Sequence, residues 1–139
     1  MKKLWLTALS MGCLTGSMAI AHHSGAMFNE TKMVQYNGTV TRWAWTNPHS
    51  FLYLMIKDKD GKEQEYQFET GSPNTMYRNG WRKDSFKEGD KVAIYAYPLR
   101  EGVGGMMVTA RTASGAALQW LPAAATSKAT VTDEVVGVP

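Results

Sequence analysis

From Val34 to Trp45 β-branched and aromatic residues recur at roughly every second position, a period that predicts one long strand with a bend at Gly38. Thr46-Asn47-Pro48-His49 interrupts it, because Pro48 has no N–H to give a ladder and pushes Asn47 toward extended or turn geometry. Phe51–Lys57 resumes as a second strand, apolar enough to be buried on both faces. Asp58-Lys59-Asp60-Gly61-Lys62 is a hairpin signal, and it leads to Glu63–Glu69, where Tyr66 and Phe68 alternate with polar neighbours. The period then changes. Ser72-Pro73 supplies a helix N-cap followed by proline at the first helical position, so a two-turn helix runs through Arg78 and Gly80 ends it. Phe86–Lys91 is a turn that launches a fourth strand over Val92–Tyr97, ended by Pro98. After the Gly102–Gly105 loop, Met106–Thr112 is the fifth strand, and Leu118–Trp120 adds a short pairing.

Five strands with one short helix between the third and fourth is the element order of a small OB-like barrel, an all-β fold. Closure would remove the exposed edges that five antiparallel strands otherwise present. An open five-stranded antiparallel sheet or a small sandwich satisfies the same pattern. Beyond Pro122 the Ala-, Thr- and Val-rich sequence has no period and few large apolar residues, so residues 122–139 are expected to be a flexible tail.

The start of the chain follows a different logic. Lys2-Lys3, the apolar stretch Leu4–Ile20 and the small residues Ala19-Ile20-Ala21 predict a signal peptide over residues 1–21, cleaved after Ala21. The stretch is short, broken by Gly12 and Gly16, and followed by His22-His23-Ser24 rather than a cationic flank, which argues against a retained anchor. Cys13 in Ser10-Met11-Gly12-Cys13 is a poor lipidation site, with Ser10 where leucine is usual. The expected organisation is a leader over 22–33, a barrel domain over 34–121 and the tail. A periplasmic or secreted location follows, with no membrane insertion after cleavage.

Composition sharpens this in two ways. Fifteen Lys and Arg stand against 12 Asp and Glu, and loss of Lys2 and Lys3 leaves a nearly balanced chain, so nothing electrostatic argues for nucleic acid. The single cysteine, Cys13, leaves with the signal, which removes disulfides, thiolate metal sites and a cysteine nucleophile together.

Several motifs occur in a telling order: His22-His23-Ser24 after the signal, Gly38-Thr39-Val40 to Trp45-Thr46-Asn47-Pro48-His49, Phe68-Glu69-Thr70-Gly71-Ser72-Pro73-Asn74, and Gly80-Trp81 before Lys87-Glu88-Gly89-Asp90. Over roughly residues 22–115 the chain resembles an exported bacterial family known only as a domain of unknown function. The resemblance implies a small exported β-rich protein and brings no catalytic residues.

All three histidines survive cleavage, and two of them open the mature chain. An N-terminal His22 chelates a metal through its α-amine and ring nitrogen, and a second imidazole completes the three-nitrogen set called a histidine brace. Such nitrogens suit Cu(II), which heads the divalent affinity order. The α-amine, with an ordinary pKa near 8, gives up its proton to a metal at neutral pH. His49, on its Asn-Pro turn, is the natural partner, and His23 the fallback ligand. Met27, Met106 and Met107 are soft sulfur donors for Cu(I) if folded nearby. Against this, terminal histidines are often merely solvated, His49 can simply hydrogen-bond in its turn, and methionines more often fill cores.

Hydrolytic chemistry has less behind it. Glu69 and His49 can be drawn as an orienter and base with Ser50 or Ser72 as nucleophile, but Gly-x-Ser-x-Gly is absent and Ser72 is better explained as a cap. Glu69, next to the Gly71-Ser72-Pro73 turn, is a candidate carboxylate ligand or a partner for Arg78 or Arg82, with surface ion pairing the expected role. Asp58, Asp60 and Gly61 lack the later bidentate acid of a calcium loop. Among the aromatics, alternation puts Trp43 and Trp45 on one side of the first strand and Tyr95 and Tyr97 on one side of the fourth.

Two functions are therefore expected to compete. One is an exported copper-binding protein using His22, His49 and His23 for metal handling or delivery rather than turnover, with a periplasmic protein partner. The other is a metal-free binding or assembly module that uses an aromatic barrel face at Trp43 and Trp45 for a protein or small apolar ligand.

Overall fold

The computed structural model describes residues 27–112 and 114–139, so the expected signal over 1–21, His22 and His23 lie outside the described residues. The elements are β1 (Lys32–Ala44), β2 (Phe51–Lys57), β3 (Glu63–Glu69), α1 (Pro73–Arg78), β4 (Lys91–Pro98), β5 (Gly104–Arg111), β6 (Ala117–Gln119), α2 (Ala123–Thr126) and β7 (Thr130–Val136).

The first five strands close on themselves. β1 pairs antiparallel with β2 and β2 with β3. β3 then pairs parallel with β5, through Gln67↔Gly104 and Glu69↔Met106. β5 pairs antiparallel with β4, and β4 returns antiparallel to β1. This ring, β1-β2-β3-β5-β4-β1, is the closed OB-like arrangement, and the parallel β3–β5 contact rules out a purely antiparallel sheet. β1 closes it because it is long: Val34–Thr39 pairs with β4 along one edge, and Thr39–Ala44 pairs with β2 along the other. Paired positions traced from Ala44 through Phe51, Glu69, Met106 and Tyr97 lead back toward Val34, well upstream of the start, which is the stagger that barrel closure requires. Gly38 lies at the changeover in β1. A Cβ there would stand 2.9 Å from the Met55 carbonyl oxygen, so the close crossing needs glycine.

The principal core includes Val34, Tyr36, Val40, Leu52, Leu54, Phe68, Ile94 and Met107, and α1 adds Met76 beside Trp81 and Phe86. Ser72 caps α1 as its sequence indicates: its Oγ accepts from the Thr75 N–H at 3.3 Å, and Pro73 occupies the first turn. The β2–β3 hairpin is held by Asp58, whose Oδ1 accepts from the N–H groups of Asp60 and Lys62, both at 2.9 Å. A second cluster packs Phe28, Met33, Tyr97 and Val108 with the partly buried Tyr95, Leu99 and Met106. Tyr95 and Tyr97 thus share one cluster, as alternation indicates.

The described margins of the chain are paired, and the flexible tail expected over residues 122–139 contains a strand. The end of the leader is docked: Phe28 bridges Leu99, and the Asn29 N–H donates to the Pro98 carbonyl at 2.8 Å. The tail, too, carries structure, because β7 lies parallel to β1 through Lys32↔Thr130 and Tyr36↔Val136. β2 covers only Thr39–Ala44 on that edge of β1, which leaves the Lys32–Tyr36 backbone open. β7 fills the gap, and the Val138 N–H continues it to the Lys57 carbonyl at 3.0 Å. An ion pair between Lys32 and Glu134 accompanies the pairing.

Candidate functional site

The β2–β3 ladder continues beyond the two strands. Ser50 N–H donates to the Gly71 carbonyl at 3.0 Å, and the Ser50 carbonyl accepts from both the N–H and the hydroxyl of Thr70 at 2.9 Å. Side chains alternate along this extension. Ser50, Leu52, Phe68 and Thr70 are buried, while His49, Phe51 and Glu69 fall on the other side. The turn before His49, with a cis Asn47–Pro48 bond, is closed by the Thr46 hydroxyl donating to the His49 carbonyl at 2.9 Å.

The backbone so fixed brings His49 Nδ1 onto Glu69 Oε1. A carboxylate only accepts, so Nδ1 carries the hydrogen. The Glu69 side chain is 24% exposed and the His49 side chain 45%, which places a sheltered carboxylate behind a solvent-facing ring. Among the described residues no hydrogen bond engages His49 Nε2. Holding one imidazole nitrogen on a carboxylate sets the tautomer and aims the ring, the usual support for a metal-binding histidine.

Glu69 therefore pairs with His49 rather than with Arg78 or Arg82, as the sequence suggested. Arg82 lies over the Tyr77 ring at 4.1 Å and donates to the Tyr77 and Trp81 carbonyls. The hydrolytic constellation lacks its nucleophile. Ser50 Oγ is buried without a hydrogen-bond partner, and Ser72 is committed to its helix. Among the described residues no group of three His, Cys, Asp or Glu side chains converges on a metal position.

The methionines separate clearly. Met107 is buried in the barrel core, and Met27 is exposed. Met106 is the strand partner of Glu69 and packs against the cluster containing Phe28. Sequence spacing offers no sign of the Glu69–Met106 adjacency, because it arises from a parallel pairing across the barrel closure.

Trp43 sits at the end of β1 and Trp45 just beyond it, their ring centroids 5.6 Å apart. Both are partly buried against the barrel core. Trp43 meets Phe86 edge-on at 5.3 Å and donates its indole N–H to the Arg82 carbonyl at 3.1 Å. A groove of about 570 Å³ lies at the other end of β2, lined by Gly38, Met55, Lys57, Lys91 and Val92, and none of the residues around His49 line it. No described helix is long and apolar enough to cross a membrane.

A family model described as a family of unknown function, DUF6152, matches residues 11–108, and the chain belongs to that family. No curated protein and no solved structure matches it.

Proposed function

We propose that this DUF6152 member is an exported protein that binds copper through His49 and a mature N-terminus beginning at His22, with His23 assisting, and that it handles or delivers the metal. The observation that carries the reading is the His49–Glu69 pair, which holds one ring nitrogen of a half-exposed histidine on a more sheltered carboxylate. Two nitrogens from the α-amine and ring of His22, with Nε2 of His49, make a donor set suited to Cu(II).

Tether length supports the same reading. The docked Phe28 and Met106 belong to one cluster, and Met106 is one strand away from Glu69, a spacing of about 4.8 Å. His22 lies five positions before Met27, and extended chain covers up to about 17 Å over that length.

The test is Cu(II) binding, by electron paramagnetic resonance and calorimetry, to chain beginning at His22. Tight one-to-one binding should weaken sharply in His49→Ala and when one residue is added before His22. Weak binding indifferent to both changes would overturn the reading and turn attention to a metal-free ligand at Trp43 and Trp45.

A further inference from the structure

The groove at the other end of β2 from His49 owes its shape to the point where β1 changes partners. Thr39 pairs with Lys91 of β4 on one side and with Met55 of β2 on the other. Upstream of Thr39, β4 stays beside β1 through Asn37↔Ala93, whereas Ile56 and Lys57 of β2 pair with β3 and no longer with β1. The two strands therefore part, and the opening between them is closed by the chain after β7. Val138 N–H donates to the Lys57 carbonyl at 3.0 Å, and Asn37 Nδ2 donates to the Gly137 carbonyl at 3.3 Å. Gly137 has a φ of +90°, and a Cβ there would stand 2.2 Å from the Asn37 carbonyl oxygen, so only glycine lets this end wall sit against β1.

We propose that this groove is a binding site for a small carboxylate with an apolar body, such as a medium-chain fatty acid, whose head group is held at Lys91. The proposal is independent of the copper reading. The groove encloses about 570 Å³, within the usual range for small-molecule sites. Gly38, Val92 and Ala93 are small enough to leave that space open, and Met55 and Val138 give it apolar walls. Its charges select the head group. Lys57 and Lys91 line it together with one acid, Glu63, which is the Cα partner of Lys57 in the β2–β3 ladder and so lies beside that lysine. Asp90, next to Lys91 in sequence, is taken up by the Lys87 N–H at 2.9 Å. Among the described residues no ion pair or hydrogen bond engages the Lys91 ammonium or the Thr39 hydroxyl. One uncompensated positive charge beside an apolar floor fits a monoanion. An ammonium acts as a point charge and needs no forked partner, which suits a single carboxylate.

The test titrates the protein with octanoate, followed by calorimetry and by backbone amide shifts, with octan-1-ol and octylammonium as probes of equal tail length. Octanoate should bind one-to-one and shift amides over residues 37–39 and 91–93, octan-1-ol should bind more weakly, and octylammonium should not bind. Lys91→Gln should weaken octanoate about threefold or more, in keeping with loss of one partly exposed charge, and Lys91→Arg should restore it. Ala93→Leu, which fills the groove from a partly exposed position, should abolish binding with little change in melting temperature. The proposal is overturned if octanoate shows no saturable binding, if octan-1-ol or octylammonium binds as tightly, or if the shifted amides lie elsewhere on the barrel. Octanoate affinity that is unchanged in Lys91→Gln overturns the assigned head-group site by itself, even where Ala93→Leu fails to fold.

Discussion

His49 Nδ1 meets Glu69 Oε1 at the join where β2 and β3 run past their last paired strand residues, and this contact turns a turn histidine into an aimed one. Its worth lies in orientation, since a partly exposed ion pair contributes little to stability.

Glu69→Gln should therefore leave the melting temperature nearly unchanged while weakening copper binding about ten- to a hundredfold, the usual effect of removing the carboxylate behind a ligating imidazole. Calorimetric titration paired with a thermal melt checks this. Equal copper affinity in parent and variant would show that the carboxylate does not support a ligand.

Ser72→Ala removes the acceptor for the Thr75 N–H at the start of α1 and should cost about 1 kcal/mol, read from urea unfolding. Ser72→Gly should cost only a few tenths of that, because glycine tolerates the cap geometry.

Gly38→Ala places a Cβ against the Met55 carbonyl oxygen at 2.9 Å and against Ile56 Cγ1 at 3.0 Å, with backbone on one side of the clash. The expected loss is about 1–3 kcal/mol, the range for overpacking. Gly89→Ala tests a different cost: nothing lies within 4 Å of its Cβ position, but its positive φ strains any substitution.

The two valines at the end of β7 give a direct comparison. Val136 packs against the barrel core, whereas Val135 is 52% exposed. Val136→Ala should cost about 1–2 kcal/mol and Val135→Ala less than about 0.5 kcal/mol. Equal small effects would mean that β7 adds little to the barrel.

Tyr36 couples stability to alkaline pH. Burial, with the nearby charges of Glu134 and Tyr66, pushes its phenol up to about 12. The unfolded chain ionises this group near 10, so its contribution is intact below pH 10 and is lost as the pH rises toward 12. A two-unit difference corresponds to about 3 kcal/mol of stability lost over that window. Unfolding measured against pH, with phenolate absorbance recorded on the folded protein, should show Tyr36 ionising above the ordinary tyrosine range and stability falling before it does.

The local elements were legible because their causes are local. Alternation marked the strands, Asp58 to Lys62 the hairpin, and Ser72-Pro73 with Gly80 the ends of α1, each a matter of backbone preference over a few residues. The order of those elements also indicated the OB-like ring. The pairing partners were another matter. β7 was hidden because the demand for it lies in the open edge of β1, nearly a hundred residues earlier, and not in its own weakly apolar sequence. His49 was singled out from sequence, but its pairing with Glu69 and the adjacency of Glu69 to Met106 are consequences of register, one across an antiparallel ladder and the other across a parallel one. A strand's sequence fixes which residues share a face. Only the tertiary structure decides which strand lies beside it and at what stagger, because backbone hydrogen bonds are nearly indifferent to side chains and the choice is made by burying the whole core at once.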